Sequence, residues 1–392
     1  MIDYNKVINR RNTNSLKWNV GESELPMWVG DMDFQTAPCV TEAIVKKAQS
    51  GVFGYQIVPD AWYDAIIRWW QVRHDFTIKK EWLCFCTGVV PAITSTIKRV
   101  TNVGDNVVVM TPVYNIFFNS IENSGRHALE SPLAYENGAY GIDWDDLEQK
   151  LAHPLSTMLL LCNPHNPVGK VWSKEELHRI GNLCAKHGVT VFSDEIHCDL
   201  VPLDVSYTPF AAASGVGLAT SVTAISASKA FNLAGLQAAA VFINNEVLRN
   251  KVVRGLNSDE LAEPNAFAIE ATIAAFSYEG GLWLNGLRDH ICQNKQKAEA
   301  FFEVSLPQIK AISQDATYFM WLDCSAVTDD SNKLAEFIRS ETGLYVSSGS
   351  IFRGNGNYFL RLNVACPEST LNDGLNRLKK GILLYQQKYP RQ

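Results

Sequence analysis

The sequence predicts an α/β protein with a large domain, whose mostly parallel sheet is flanked by helices, and a smaller α+β domain. Between residues 80 and 245, short apolar runs alternate with helical patterns, which is typical of a parallel sheet covered on both faces. Residues 263–302 show a helical pattern without a strand signal. Beyond them, a second set of strands alternates with helices, at residues 318–322, 344–346 and 358–364.

The chain is expected to divide into three parts. Residues 1–45 form an N-terminal arm and part of the small domain, residues 46–285 the large domain, and residues 286–392 the C-terminal small domain. Within the arm, residues 25–34 are unusually apolar, so this stretch either packs against a core or closes over a site. Thr36 is then expected to cap a helix that has Pro38 in its first turn.

The elements of the large domain follow from its apolar runs and helix signals. A helix after residue 59 carries Trp62, Ile66 and Trp69 at helical spacing, which predicts a core stripe. Ser173 and Glu176 form a capping box at the start of another helix. The predicted strands are residues 83–86, 106–110, 158–162, 189–192, 222–225 and 238–243.

Composition argues against several classes of protein. A formal net charge of −6 without a long basic run disfavours a nucleic-acid surface. The longest apolar stretch, at about residues 238–243, falls far short of the roughly 20 residues that a membrane span requires. Nine cysteines, an odd number without a C-x-x-C pair, predict free thiols and no metal site. With no apolar signal core at the N-terminus, we expect a soluble, cytoplasmic protein.

Lys229 is the centre of the predicted site. Ser226 and Ser228 flank a small residue directly after a buried strand, and the lysine follows at once. Hydroxyls and free amides at a strand end suit a phosphate, and a lysine in partly apolar surroundings can lose its proton and form a Schiff base. Taken alone, so short a motif is more typical of a surface lysine in a polar turn.

Other polar loops also follow strand ends, where α/β sheets bind their ligands. Asp194 either holds a proton on a heterocyclic nitrogen or is a structural carboxylate. Asn166 can donate to a phenolic oxygen, and His197 either serves the same oxygen or is a satisfied structural group. Tyr114 either stacks on a ring or is a buried aromatic.

One ligand uses all of these groups together. The turn at residues 87–91 brings the amides of Gly88 and Val89 to a helix N-terminus, where they suit an anion. With Ser226 and Ser228 they can hold a phosphate, while Lys229 supplies an imine. These features together predict pyridoxal 5′-phosphate.

Motifs along nearly the whole chain carry a family resemblance. They are T-G-V-V at residues 87–90, P-V-Y at 112–114, N-P-H-N-P-V-G at 163–169, S-D-E-I-H at 193–197, S-A-S-K-A-F-N-L-A-G-L-Q at 226–237 and F-L-R-L-N-V-A-C-P at 359–367. The sequence resembles fold-type I, aspartate-aminotransferase-like pyridoxal-phosphate enzymes. Together with L-P-M-W-V-G-D-M-D-F at 25–34, it looks most like the MalY/PatB group of cystathionine β-lyases within them.

The resemblance implies roles around the cofactor ring. Lys229 forms the imine and moves the proton at Cα, and Asp194 partners the pyridine nitrogen. Asn166 and His197 contact the ring oxygen, and Tyr114 stacks on the ring.

It also implies roles at the substrate and between subunits. Arg361, which its strand alone would mark as a salt-bridge residue, binds the substrate α-carboxylate as a bidentate fork. Val29 and Gly30 line the substrate side. Tyr55 reaches the phosphate of a second subunit, so the resemblance implies a homodimer with shared sites.

One departure from the family pattern favours a lyase. Many aminotransferases carry an arginine eight residues after the lysine, and here that residue is Gln237. We therefore expect a C–S β-lyase that cleaves cystathionine or related cysteine S-conjugates by α,β-elimination to thiol, pyruvate and ammonia. An aminotransferase of the same fold is the alternative, and a partner-binding regulatory protein is a weaker one.

Overall fold

A computed structural model describes residues 3–312 and 315–390 of the chain. Its strands are β1 (Leu25–Pro26), β2 (Leu83–Cys86), β3 (Asn106–Thr111), β4 (His127–Pro132), β5 (Ala134–Glu136), β6 (Ala139–Gly141), β7 (Ser156–Cys162), β8 (Thr190–Asp194), β9 (Ser221–Ile225), β10 (Ala239–Phe242), β11 (Lys310–Ile312), β12 (Phe319–Asp323), β13 (Leu344–Tyr345), β14 (Ser347–Ser348) and β15 (Phe359–Asn363). Its helices are α1 (Pro38–Gln49), α2 (Asp60–His74), α3 (Val89–Val100), α4 (Ile116–Glu122), α5 (Trp144–Leu151), α6 (Lys174–Lys186), α7 (Phe210–Ala213), α8 (Gly215–Thr220), α9 (Glu246–Ser258), α10 (Ala268–Ala275), α11 (Tyr278–Ser305), α12 (Ser331–Thr342) and α13 (Glu368–Lys388).

The large sheet has seven strands in the order β2-β10-β9-β8-β7-β3-β4. All neighbours are parallel except β10, which is antiparallel to both β2 and β9. The connection from β9 to β10 contains no α-helix, and without a crossover helix two consecutive strands pair antiparallel. The predicted mostly parallel sheet flanked by helices is therefore confirmed.

The edge strand β4 was not predicted from the sequence. Three of its six residues, His127–Pro132, are polar and the last is proline, which is tolerated where one side of a strand stays unpaired. The hairpin β5–β6 that follows was also not predicted, because its strands are only three residues long.

A second layer is built from the C-terminal part of the chain together with the N-terminal segment. The antiparallel sheet β11-β12-β15-β14 packs with α12 and α13, and β1 pairs in parallel with β13. Leu25 and Met27 share one buried apolar cluster with residues of these helices. This is the predicted smaller α+β part. The boundaries at residues 45/46 and 285/286 stay predictions, and α11 runs through the second of them.

Two helix starts tested the capping predictions. The capping box of Ser173 and Glu176 is formed at the start of α6, as predicted. The cap by Thr36 was wrong, because α1 begins one residue later, with Ala37 at the N-cap position and Pro38 as its first residue. The hydroxyl of Thr36 is buried without a hydrogen-bond partner among the described residues. Across residues 3–312 and 315–390, no helix is both long and apolar enough to cross a bilayer.

Gly374 tests the packing of α13 against the N-terminal segment. A Cβ atom there would lie 2.3 Å from Sδ of Met27, which is itself buried. We expect Gly374→Ala to lower the free energy of unfolding by about 1–3 kcal/mol, although alanine normally stabilises a helix interior relative to glycine.

Gly181→Ala is the matched control, since a Cβ on this helical glycine of α6 would approach no atom closer than 3.5 Å. Urea denaturation should show Gly181→Ala neutral or stabilised. Equal stability of the two variants would contradict the packing described here.

Candidate active site

The carboxyl ends of the parallel strands open into a cavity of about 480 Å³. It is lined by eleven of the residues that the sequence marked as candidates: Val29, Gly30, Gly88, Val89, Tyr114, Asn166, Asp194, His197, Ser228, Lys229 and Arg361. Sheet register places these groups together. Asp194 is the last residue of β8, where it lies opposite Cys162 of β7 and Ala224 of β9.

Lys229 is held against the N-terminal segment. Its ammonium donates to the carbonyl oxygen of Gly30 at 2.7 Å. Loss of hydration, together with the positive charge of Arg361, lowers the pKa of Lys229 to about 8. A Cβ on Gly30 would lie 3.0 Å from the lysine Nζ, so only glycine allows this approach without displacing the amine.

Asp194 is buried with little compensation for its charge. Its side chain makes one hydrogen bond among the described residues, accepting from the amide of Ile196 at 3.1 Å. Burial raises its pKa to about 7 from an ordinary 3.8, although Lys229 opposes the shift. A cationic N–H beside this carboxylate would restore its ionised form.

His197 reaches the same cavity with an unpaired nitrogen. Its Nδ1 is buried and has no hydrogen-bond partner among the described residues, and its ring lies edge-on to Tyr318 and Phe319. Burial lowers the pKa of His197 well below the usual value, so the ring is neutral. A neutral imidazole can donate to an oxygen of a bound ligand.

Arg361 projects from β15 and is buried, and within residues 3–312 and 315–390 it forms no ion pair with a carboxylate. It donates from Nη1 to Oδ1 of Asn166 and from Nη2 to the carbonyl of Trp28, each at 3.1 Å. Its guanidinium lies 3.9 Å from the ring centre of Phe319, and its Nε has no partner within the described residues. Burial lowers its pKa to about 10, so it stays charged at neutral pH and suits an anionic group.

The start of α3 provides an anion cradle. Pro91 has no N–H, and the amide of Ala92 donates to the carbonyl of Gly88. No described side chain caps this twelve-residue helix, so the N–H groups of Val89 and Val90, two residues of the lining, are available to an anion. Gly88 precedes them at the N-cap position, and Ser228 lines the cavity as well.

Two candidate residues lie outside the lining. The hydroxyl of Ser226 donates to the carbonyl of Ala238 at 2.7 Å and accepts a hydrogen bond from the amide of Ser228 at 3.0 Å. These bonds stabilise the loop that follows β9 and carries Lys229, which we call the lysine loop. Tyr55 lies before α2 and is 98% exposed. Contact of either side chain with a phosphate stays a prediction.

Two asparagines that the sequence did not single out hold the N-terminal segment as a wall of the cavity. Asn232 donates to the carbonyls of Met32 and Phe34 and accepts the amide of Met32. Asn363 donates to the carbonyls of Val29 and Asp31, at 2.7 and 2.8 Å. The two alternatives for residues 25–34 are therefore both realised, since the segment packs and also borders the site. The only sequence signal was the presence of both asparagines inside the matched motifs.

A buried charge cluster supports this wall from behind. Asp33 accepts from Lys17 at 2.8 Å, from Arg10 at 2.9 Å and from the indole N–H of Trp18 at 2.7 Å. Arg10 also pairs with Asp31. The carboxylate of Asp33 is thus fully compensated, which allows its burial.

Comparison with known proteins agrees with this geometry. Residues 23–378 match the family model of aminotransferase class I and II. The chain is 41% identical to the protein named cystathionine beta-lyase PatB of Bacillus subtilis, with 97% of this chain and all of the relative covered. It is 33% identical to Protein MalY of Escherichia coli, covering 97% and 99%. A pyridoxal-phosphate-bound C-S lyase from Staphylococcus hominis superposes with a TM-score of 0.91 at 30% identity, covering 97% and 99%.

The buried carboxylate makes a pH-dependent prediction for the cofactor-free protein. Because the pKa of Asp194 is higher in the folded state, its contribution to stability falls as pH rises from about 4 to about 7. Asp194→Asn removes the buried charge, and we expect a gain of up to about 4 kcal/mol in unfolding free energy at pH 8, and less than about 2 kcal/mol at pH 5.

Denaturant titrations of both proteins without cofactor at the two pH values measure this difference. A gain of equal size at pH 5 and pH 8 would show that charge burial is not its cause.

Proposed function

Since the chain belongs to the class I and II aminotransferase family, we propose that it is a pyridoxal 5′-phosphate-dependent C–S β-lyase. It cleaves cystathionine or related cysteine S-conjugates by α,β-elimination to thiol, pyruvate and ammonia. The observation that carries this proposal is the convergence of Lys229, Asp194 and Arg361 on one cavity. The identity to relatives named as cystathionine β-lyases supports the same reaction.

The residues present fit the cofactor. Burial raises the pKa of Asp194, and a protonated pyridine nitrogen beside it would restore its charge, so this carboxylate suits the role of nitrogen partner. The first-turn amides of α3 and Ser228 suit the phosphate, and His197 has a free nitrogen for the ring oxygen. When bound, pyridoxal phosphate supplies a cationic ring that accepts the electron pair released at the substrate Cα.

Lys229 is the base of the reaction. With a pKa near 8, a substantial fraction of its amine is neutral at physiological pH and able to take the Cα proton at Nζ. The carbonyl of Gly30 holds that amine in position through the hydrogen bond at 2.7 Å. The same group returns protons later in the cycle, since it stays the titratable amine nearest the reacting carbon.

Arg361 orients the substrate. Its planar fork matches a carboxylate, and two neutral acceptors, Asn166 and Trp28, fix its plane without neutralising it. The substrate α-carboxylate would therefore form an ion pair with the guanidinium of Arg361, which has neutral hydrogen-bond acceptors around it in the folded protein. Val29 and Gly30 border the side from which the substrate enters.

Gln237 supports elimination over transamination. It lines the cavity at the position where many aminotransferases carry a phosphate-binding arginine. A neutral amide leaves the phosphate to hydroxyls and helix amides alone. The aminotransferase alternative remains the competing activity, because it would use the same lysine, aspartate and arginine.

The assembly we infer is a homodimer with shared sites. The loop before α2 exposes the large apolar side chains of Val52, Phe53, Tyr55 and Ile57. Their exposure to water is unfavourable, which is typical of a surface that another protein covers. A second copy of the chain covering this loop would place Tyr55 against the neighbouring cavity. The nine cysteines are free, which favours operation in a reducing compartment such as the cytoplasm.

Product analysis distinguishes the two activities. Incubation with cystathionine and a panel of cysteine S-conjugates, without any keto acid, is expected to give stoichiometric pyruvate, ammonia and thiol. Reaction that starts only when a keto acid is added, with its conversion to an amino acid, would identify an aminotransferase instead.

Lys229→Ala removes both the covalent attachment and the base. We expect no cofactor-linked peptide after borohydride reduction, by mass spectrometry, and a loss of turnover of about 10⁴-fold or more. Lys80→Ala is a suitable control, because this exposed lysine pairs with Asp60 far from the cavity. Undiminished turnover in Lys229→Ala would rule out the mechanism.

A further inference from the structure

A second cavity, of about 700 Å³, lies apart from the active site. It is bordered by α2, by the loop that follows β8 and by the first turns of α11. None of its lining residues lines the cavity around Lys229. The reaction described above uses no group in it.

Two arginines in this cavity are held by neutral acceptors only. Arg73 donates from Nη2 to the carbonyl of Gly281 at 2.9 Å and to Oδ1 of Asn285 at 3.0 Å. Arg288 donates to the carbonyls of Val201 and Pro202, at 2.5 and 3.1 Å. In the part of the chain that the structure describes, no carboxylate oxygen lies within 4 Å of either guanidinium. Neither arginine therefore forms an ion pair in this part of the chain, and Asp199 attracts both of them only from beyond that distance.

Burial acts on both arginines, and repulsion by a neighbouring charge acts on Arg288. Loss of hydration lowers the pKa of both arginines, and for Arg288 the charge of Arg73 is the next cause. Two carboxylates line the cavity: Asp75 is exposed, and Asp199 is already engaged. Both of its oxygens accept from the indole of Trp69 at 3.0 Å, and His74 lies 3.1 Å from Oδ1. An anion placed between the arginines would add to the partial compensation that Asp199 gives them.

Four of the seven exposed residues that line the cavity are apolar, and the other three are Arg68, Asp75 and Ser206. The four apolar ones, which we call its rim, are Val72, Leu203, Tyr278 and Leu282, and each exposes more than half of its surface. Large side chains of this kind grouped around a cleft mark ligand sites more often than single exposed residues do. An occupant would therefore meet positive charge at the base and hydrocarbon at the mouth.

We propose that this cavity binds an organic carboxylate with an apolar body, with the carboxylate between Arg73 and Arg288 and the apolar part against the rim. The planar guanidinium of Arg73 lies 4.3 Å above the ring of Trp69, which fixes its orientation for such a pair. The site is independent of the proposed lyase reaction.

A metal ion is the competing occupant, and the charges disfavour it. One ligand atom each from His74, Cys198 and Asp199 lies within 4.8 Å of the others. A cation there would compete with the bonds from Trp69 and His74 and would face the two arginines. Burial also raises the pKa of Cys198 well above its usual value, so the thiol is a poor ligand.

The test measures binding of 4-phenylbutyrate to the full-length holoenzyme by isothermal titration calorimetry, with 4-phenylbutyramide, inorganic phosphate and zinc as comparison probes. We expect saturable binding of the carboxylate, and binding at least about tenfold weaker for the uncharged amide and for phosphate. Arg288→Gln should weaken carboxylate binding by about tenfold or more, whereas Arg254→Gln, an exposed arginine outside this cavity, should not.

Ser206→Trp provides a second variant, because Ser206 is exposed at the cavity and its side chain makes no hydrogen bond to any other described residue. It should block binding while leaving the melting temperature and lyase turnover unchanged. Carboxylate binding unaffected by both variants would mean that the probe occupies another site, such as Arg361, and would overturn the proposal. So would amide binding of equal strength, the absence of saturable carboxylate binding, or binding of zinc alone.

Discussion

Removal of water from three charged groups around one cavity is the constraint on which the rest of the structure depends. Lys229 and Asp194 shift toward their neutral forms, because burial penalises each charge more than their mutual attraction favours it. Arg361 keeps its charge but gains only neutral acceptors. A cofactor with an aldehyde and a protonated ring nitrogen, together with a substrate carboxylate, would compensate all three groups. The shifted pKa values thus describe a site prepared for its cofactor and substrate.

The parallel sheet and the N-terminal segment each form part of this site. Strand register brings Asp194, Asn166 and the loop that carries Lys229 to the carboxyl ends of the parallel strands, where other α/β folds also bind ligands. Another wall of the cavity is formed by the N-terminal segment at residues 25–34, which is mostly irregular and is not held by residues close to it in sequence. Its backbone carbonyls are instead fixed by the side chains of Asn232, which lies three residues after Lys229, and of Asn363, the last residue of β15.

The sequence predicted what is local and left open what is formed by distant contacts. Apolar runs located the six core strands of the large domain, and polar residues at their ends located Asp194 and Lys229, because both signals lie within a few residues. The polar edge strand β4 lacked an apolar run, and Thr36 showed a capping pattern one residue from the true helix start. Arg73 and Arg288 are 215 positions apart, so no spacing could show that they share a cavity.

The wall of the active site has a consequence for biosynthesis. Val29 and Asp31 receive their hydrogen bonds from Asn363, more than 330 positions further along the chain. A ribosome must therefore deliver almost every element before the pocket can close, even though the lysine loop and its strands emerge much earlier. Cofactor capture becomes a late event in the maturation of the protein, and a nascent chain stalled before residue 363 would carry the lysine without a finished place to use it.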